Sequence, residues 1–273
     1  MDLIDSHCHI DAEEFDGDRQ AVLDRAAQAG VKRIIAPAIH AEGWPKLKAL
    51  AEVHPQIVPV YGLHPMYLAH HRFEHLDALR DWVARERPCA IGECGLDHFL
   101  PELDPNRQRD ILIGQLRLAR DFDLPVILHA RKAVDELMAL LRRIGGLRGV
   151  VHSFSGSHQQ AMKLCEMGFM LGLGGPVTYE RANRLRGLVR ELPLEHLLLE
   201  TDAPDQPDSG HRGQRNEPAH LPHVLHAIAE LRGQAAADIA RQTHANALRL
   251  FTLDMSEPAC HAREGEHPAT SMR

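Results

Sequence analysis

Residues 3–11 read LIDSHCHID, an apolar start that leads directly into two histidines separated by one residue. Side chains of a β-strand alternate between its two faces, so a strand here directs His7 and His9 to one side and Cys8 and Ile10 to the other. A short apolar strand that ends in polar groups decides the fold because the same unit recurs along the chain.

Seven further stretches have this form. The eight strand candidates are residues 3–10, 31–38, 57–65, 89–97, 125–132, 149–156, 169–175 and 196–204. Most are continuous apolar runs rather than alternating ones, which is typical of strands covered on both faces by helices. The sequence therefore predicts a buried parallel sheet.

Helical segments fill the intervals between these strands. Asp104 followed by Pro105 is an N-cap and first-turn signal, and similar patterns run over residues 18–29 and 221–231, before Gly30 and Gly233. Strand then helix, eight times over, predicts an α/β fold, a single-domain TIM-type (β/α)8 barrel over residues 1–251. We expect residues 252–273 to form a flexible tail, because they lack periodicity. The alternative is an open doubly wound sheet, but no GxGxxG follows the first strand.

Composition narrows the class of protein. The chain has 273 residues, 44% hydrophobic and 25% charged, which is ordinary globular composition. A formal charge of −7 provides no general basic face, so a nucleic-acid partner must be held by local features. Five cysteines without framework spacing indicate reduced thiols. With no signal-peptide pattern and no apolar run of about 20 residues, we expect a cytoplasmic protein that does not enter a membrane.

Polar residues at the carboxyl ends of barrel strands converge on one mouth, where TIM barrels carry their chemistry. The residues at these positions are His7, His9, His64, Glu93, His129, His152 and Asp202. Imidazole and carboxylate donors without lysine or arginine predict a site for divalent cations such as Zn, Mn, Ni or Fe, and a carboxylate can bridge two of them. Taken singly, His152 could be a core histidine and Asp202 a helix N-cap before Pro204.

Six segments together resemble the TatD family of metal-dependent deoxyribonucleases, within the amidohydrolase-like barrels. They are HCHID (7–11), GLHP (62–65), GECGLD (92–97), HAR (129–131), HSFSG (152–156) and ETDAPD (200–205). Their order and spacing match as far as about Phe251. Better-known members of the family carry an aromatic residue near Asp205, a difference that bears on substrate preference.

The resemblance implies two divalent metal ions per chain, drawn from Zn, Mn, Mg, Ni and Fe. His7, His9, Glu93 and Asp202 would hold one ion, and Glu93, His129 and His152 the second, with Glu93 as the bridge. Two such cations suit phosphodiester hydrolysis, since they activate a water and neutralise charge on the phosphoryl and leaving oxygens. Asp202 is the candidate general base, and with Glu93 it forms the expected catalytic pair.

Substrate contacts are expected at the rim. Arg131 can offer its guanidinium fork to a phosphate oxygen, and His64 is a metal ligand, a proton donor, a phosphate contact or only a turn residue before Pro65. The glycines of residues 172–175 permit a close backbone approach or mark a tight turn. The expected partner is DNA, single-stranded or at an end, cut by an exonuclease-type monomer. Phe99 is one aromatic residue that could stack on bases.

Two other functions stay open. One keeps the barrel and the metals but cleaves a cyclic amide, lactone or phosphotriester, although relatives of that kind often bridge their metals with a modified lysine and Glu93 stands on the fourth strand here. The other is a non-catalytic binding or quality-control protein. It is disfavoured because structural zinc sites are normally closed by four ligands, whereas six ligands shared by two ions leave positions for water.

Overall fold

The computed structural model describes residues 1–254, and all eight predicted strands are present in it. They are β1 (Leu3–Asp5), β2 (Val31–Pro37), β3 (Ile57–Val60), β4 (Ile91–Asp97), β5 (Val126–Arg131), β6 (Gly149–Val151), β7 (Phe169–Leu173) and β8 (Leu197–Leu199). The strands are shorter than the sequence stretches, because the polar residues at the ends of those stretches lie in the loops after each strand.

Helices alternate with these strands. They are α1 (Arg19–Gln28), α2 (Trp44–Val53), α3 (Glu74–Glu86), α4 (Pro105–Asp121), α5 (Val134–Ile144), α6 (His158–Glu166), α7 (Asn183–Glu191), α8 (Leu221–Arg232) and α9 (Ala236–Phe251). The three helices predicted from caps and breakers are confirmed. Asp104 caps α4 by accepting the Asn106 N–H at 2.9 Å, and Gly233 ends α8 in the left-handed conformation.

All strand pairs are parallel and follow sequence order, β1 to β3 in one sheet and β4 to β8 in the other. Two junctions close the ring. Between β3 and β4, the Gly92 N–H donates to the Tyr61 carbonyl at 3.0 Å, and between β8 and β1, the Ser6 N–H donates to the Leu199 carbonyl at 2.9 Å. The fold is therefore a closed (β/α)8 barrel, and the doubly wound alternative is wrong, because that topology leaves its edges open and reverses its strand order.

A small apolar cluster fills the amino-terminal end of the barrel. It includes Ile127, Val150, Met170 and Leu198 from four successive strands, and α9 covers it with Phe251. Their neighbours along each strand belong to a larger cluster shared with the outer helices. Because strand side chains alternate, the residues two positions further along β5, β6 and β8 also face the interior, at its other end.

The chain continues past α9 for three described residues. Thr252 ends α9 in the left-handed conformation, with φ of 51°, and Leu253 packs on the small cluster. The tail expected over residues 252–273 otherwise falls on 255–273, outside the described residues. Among the described helices, none combines the length and apolar character required to cross a bilayer.

Candidate metal centre

Six of the seven predicted side chains surround a cavity of about 590 Å³ at the carboxyl ends of the strands. Those that line it are His9, His64, Glu93, His129, His152 and Asp202. The seventh, His7, lies fully buried behind them, with its ring stacked on that of His152 at a centroid distance of 3.9 Å. Residues up to 195 positions apart in sequence thus meet in one place.

One group of candidate ligand atoms comes from the segments that follow β1 and β8 and from β4. His7 Nε2 and His9 Nε2 are 3.3 Å apart, and Asp202 Oδ1 lies 3.5 and 3.7 Å from them. Glu93 Oε2 completes the group, at 3.0 Å from His7 Nε2 and 3.5 Å from His9 Nε2. No helix begins at Asp202, so its reading as a helix N-cap is wrong.

A second group surrounds the other oxygen of the same carboxylate. Glu93 Oε1 lies 2.7 Å from His152 Nε2, 2.8 Å from His64 Nε2 and 3.2 Å from His129 Nδ1. Each oxygen of Glu93 therefore faces a separate set of imidazoles. This is the arrangement expected of a carboxylate that bridges two ions.

The electrostatics of the cavity fit bound cations. Glu93 Oε2 accepts no hydrogen bond from the described residues, although His7 Nε2 lies 3.0 Å away. Burial raises the pKa of Asp5 to about 7 and of Glu200 to about 8, and it also raises the pKa of Asp202. Buried carboxylates are unstable as anions without a compensating positive charge, which divalent ions would supply.

The pKa of His152 is also shifted in the direction that favours positive charge. Burial opposes protonation of its ring, but the Glu93 carboxylate 2.7 Å away raises its pKa to about 10. The Glu93 carboxylate thus favours positive charge at this point of the cavity, which a bound divalent cation would also supply.

Two buried carboxylates that were not predicted from the sequence lie behind the histidines. Asp97 Oδ2 lies 3.0 Å from His129 Nε2, which leaves His129 Nδ1 directed at Glu93. A hydrogen-bonded outer carboxylate of this kind orients a metal-binding imidazole. Glu200 lies on the Nδ1 side of His152 at 3.9 Å, beyond hydrogen-bond distance, and accepts the Ser153 N–H.

A third buried carboxylate, Asp5, joins the ends of β1 and β8. It accepts the Thr201 hydroxyl at 2.5 Å and the Thr201 N–H at 3.0 Å. The signal that finds these three acids is strand alternation, because Asp5 stands two residues before His7, Asp97 four after Glu93, and Glu200 two before Asp202.

Gln206 is a further residue that the sequence did not indicate. The side-chain Nε2 of Gln206 donates to Asp202 Oδ2, and its Oε1 accepts a hydrogen bond from the Ser153 hydroxyl at 2.9 Å. Gln206 therefore occupies one carboxylate oxygen of Asp202 and leaves Oδ1 directed at the imidazoles. It follows Asp205, where the sequence lacks the expected aromatic residue.

The tautomer of His64 follows from its hydrogen bonds. Its Nδ1 accepts the Met66 N–H at 3.1 Å, so the neutral ring carries its hydrogen on Nε2, which faces Glu93 Oε1. Burial lowers the pKa of His64 to about 4, which keeps the ring neutral. His64 thus caps the turn before Pro65 and presents a donor to the cavity.

Arg131 lies apart from these ligands at the rim of the cavity. Its guanidinium stacks on the ring of Phe99 at 3.6 Å, and Nη1 lies 4.0 Å from Asp97 Oδ2. Phe99 is 46% exposed, so the stacked pair presents charge and aromatic surface to solvent beside the mouth.

Comparisons with known proteins match nearly the whole described chain. The profile of a family described as TatD related DNase matches residues 4–252. A protein of Escherichia coli K12, named uncharacterized metal-dependent hydrolase YjjV, is 45% identical over 255 residues, which cover 92% of this chain and 98% of that protein.

The chain is also similar to a relative named as an exonuclease and to a protein of known structure. A protein of Cronobacter sakazakii named 3'-5' ssDNA/RNA exonuclease TatD is 36% identical, covering 93% of this chain and 99% of that protein. The crystal structure of YjjV from Escherichia coli K12 superposes with a TM-score of 0.88 at 43% identity, covering 92% of this chain and 98% of that one.

Proposed function

The chain belongs to the family of TatD related DNases, which are metal-dependent hydrolases, and we propose that it cleaves DNA phosphodiester bonds with two divalent cations held at the barrel mouth. The observation that carries the proposal is the position of Glu93. Each of its oxygens faces a different set of imidazoles, while the carboxylate itself is fully buried. A single structural ion would not need a shared ligand of this kind.

The residues divide into two ligand sets. His7, His9, Glu93 and Asp202 would hold one ion, and Glu93, His129 and His152 the other. When bound, the two ions would activate a water and neutralise charge on the phosphoryl and leaving oxygens.

Asp202 is the proton acceptor in this proposal. Oδ2 of Asp202 is held by Gln206, so Oδ1 is the oxygen available beside the imidazoles. His64 donates its Nε2–H to Glu93 Oε1 at 2.8 Å; with Glu93 engaged by ions, this N–H would be available to a phosphoryl or leaving oxygen.

The substrate proposed is a single-stranded DNA end. The cavity is a concave barrel mouth, which admits an exposed terminus more readily than an intact duplex. Arg131 on the rim offers a guanidinium to the next phosphate, and Phe99 beneath it offers a face for a base. The exonuclease name of the Cronobacter sakazakii relative supports this choice.

The amidohydrolase alternative is less well supported. The bridging place is taken by Glu93, and no lysine is among the described residues that line the cavity. A purely structural role for the ions is disfavoured because the ligands line an open cavity instead of a closed site.

The test uses metal-stripped full-length protein reloaded with Mn²⁺, Mg²⁺ or Zn²⁺. Single-stranded DNA labelled at either end, duplex DNA, single-stranded RNA and a panel of lactones and dihydropyrimidines serve as substrates. We expect stepwise shortening of single-stranded DNA that stops on adding chelator. Asp202→Asn should lower the rate by about 10²–10⁴-fold, the range of acid–base contributions. Glu93→Gln should lower the rate because it removes the charge shared by the two ions.

Asp110→Asn, an exposed residue of α4, is the matched control and should keep the wild-type rate. Cleavage that persists with chelator, or in Asp202→Asn at the wild-type rate, would contradict the proposal. Turnover of the small-molecule panel alone would favour the amidohydrolase alternative. Shortening of RNA but not DNA would change the substrate class and keep the mechanism.

A further inference from the structure

The loop between β8 and α8 carries a second cluster of metal-ligating side chains, separate from the strand ends. Asp208 and His211 are three residues apart, and His220 and His223 repeat that spacing where α8 begins. None of the four residues contributes to the cavity described above. We call this set the loop cluster.

Asp208 is the centre of the loop cluster. It is 3% exposed, and its Oδ1 accepts the Gly210 N–H at 2.8 Å. Its other oxygen, Oδ2, faces three imidazole nitrogens, the Nδ1 atoms of His211 at 2.8 Å, His223 at 3.3 Å and His220 at 3.9 Å. No lysine or arginine pairs with Asp208 in the part of the chain that the structure describes.

The charge state of the loop cluster suits a cation. Burial raises the pKa of Asp208, but hydrogen bonds from His211, Gly210 and His223 outweigh it and hold the pKa below its usual value. Burial and the neighbouring His211 lower the pKa of His220, whose ring stacks on that of His211 at 3.6 Å. One ionised carboxylate therefore stands beside His220, an imidazole whose lowered pKa favours the neutral, metal-binding form.

We propose that the loop cluster is a peripheral site for one divalent cation of the Zn²⁺ or Ni²⁺ class, held by Asp208, His211 and His220. Two histidines and a carboxylate are ligands that these ions accept. The ligand atoms of these three residues lie within 4.8 Å of one another, and Asp208 Oδ2 is 2.8 Å from His211 Nδ1 and 3.9 Å from His220 Nδ1. Tetrahedral coordination at about 2.1 Å separates ligand atoms by about 3.4 Å, a spacing within this range.

His223 lies outside this ligand set. It is half-exposed, and its Nδ1 lies 3.3 Å from Asp208 Oδ2. The rings of His211 and His220 stack at 3.6 Å and are nearly parallel, and the ring of His223 is within 15° of that of His211. Parallel rings cannot direct in-plane lone pairs at one ion, so binding requires His220 to rotate away from Asn216 Oδ1, which is 3.0 Å from its Nδ1, and the fourth position is left to water.

The ion would cross-link the loop to α8. The same loop carries Gln206, which holds Asp202, and Asn216, whose amide donates to the Thr201 and Asp205 carbonyls at 2.9 Å. Occupancy of the loop cluster would therefore order one wall of the barrel mouth without contributing a ligand to the catalytic ions.

The experiment counts ions in metal-stripped full-length protein titrated with Zn²⁺ by calorimetry and elemental analysis. We expect the wild type to bind one more equivalent per chain than His211→Gln/His220→Gln, which keeps every ligand of the barrel mouth. His226→Gln, an exposed histidine of α8, is the matched control and should bind as many ions as the wild type.

Equal stoichiometry in the wild type and the double variant would overturn the proposal. Should the double variant not fold, as judged by circular dichroism, anomalous scattering from wild-type crystals grown with Zn²⁺ decides the question. A peak bonded to Asp208 supports the site, and its absence refutes it. Neither result depends on nuclease activity, so failure here is distinguishable from failure of the proposed function.

Discussion

Gly172 illustrates how a missing side chain makes room for a buried acid. It lies in β7, and a Cβ atom there would come within 2.0 Å of Glu200 Oε2. The sequence left two explanations for the glycines of residues 172–175, a close approach to the backbone or a tight turn. At Gly172 there is a close approach, and the group next to its backbone is the Glu200 carboxylate near His152.

We predict that Gly172→Ala displaces Glu200 and, through it, His152. The variant should unfold at lower temperature and bind metal more weakly, as measured by thermal denaturation and chelator competition. Gly187→Ala is the control and should change stability in the opposite direction. Gly187 lies inside α7 with nothing within 4 Å of an added Cβ, so alanine should raise the free energy of unfolding by about 0.5–1 kcal/mol. A thermally unchanged Gly172→Ala would contradict this account.

Asp97 is predicted to act on the metal only through His129. Asp97→Asn removes the charge that orients this ring, and outer carboxylates of this kind typically contribute about 10–100-fold to metal affinity. Competition against a chromophoric chelator measures the loss, with Asp110→Asn as control. Unchanged affinity in Asp97→Asn would mean that packing alone orients His129.

At the scale of elements, paired arginines attach the β8–α8 loop to α1. Arg25 donates to both oxygens of Glu217 at 2.8 and 2.6 Å, and Arg215 donates to both oxygens of Asp18 at 2.8 and 2.7 Å. Bidentate pairs of this kind are geometrically specific. They anchor the loop that carries Gln206 and the loop cluster.

The Arg25–Glu217 pair predicts a pH-dependent contribution to stability. Its hydrogen bonds lower the pKa of Glu217, so the contribution is complete above the pKa of an unfolded glutamate and is lost as pH falls through the lowered folded value. Because Arg25 is 43% exposed, we expect Glu217→Gln to cost only about 1 kcal/mol at pH 7.

Urea denaturation from pH 7 down to acid measures the difference between Glu217→Gln and the wild type. The difference should shrink towards zero as Glu217 becomes protonated in both states. Glu230→Gln, exposed on α8, should show no such trend. A difference that is constant at every pH would assign the effect to shape instead of charge.

At the scale of the whole molecule, the barrel is apolar at one end and polar at the other. Phe251 of α9 is 1% exposed and belongs to the small cluster that fills the amino-terminal end, while the proposed ligands occupy the carboxyl ends. TIM barrels separate stability from chemistry in this way.

We therefore predict that Phe251→Ala lowers the free energy of unfolding by about 3–5 kcal/mol and leaves metal affinity unchanged in the folded protein. Denaturant titration and chelator competition provide the two measurements. Val53→Ala, at 71% exposure, should change stability by less than about 0.5 kcal/mol. Weakened metal binding in Phe251→Ala would show that the two ends are coupled.

The local sequence pattern alone was sufficient to predict the strands, the barrel and the position of seven side chains at one end of it. Apolar runs, helix caps and strand alternation are properties of neighbouring residues, and the barrel brings every strand end to one rim. Asp97 and Glu200 carry the same alternation signal as the ligands beside them, and the sequence therefore contained them although their role was not assigned.

Only the tertiary structure shows which side chains form hydrogen bonds with one another. Asp5 and Thr201 are 196 residues apart, and Ser153 and Gln206 are 53 apart, so nothing local pairs them. The same holds for the split of Glu93 between two imidazole groups and for the loop cluster, in which a loop and a helix converge on Asp208. Hydrogen bonds and ion coordination depend on distances of about 2–3 Å, which are determined when the chain packs and not by its spacing in sequence.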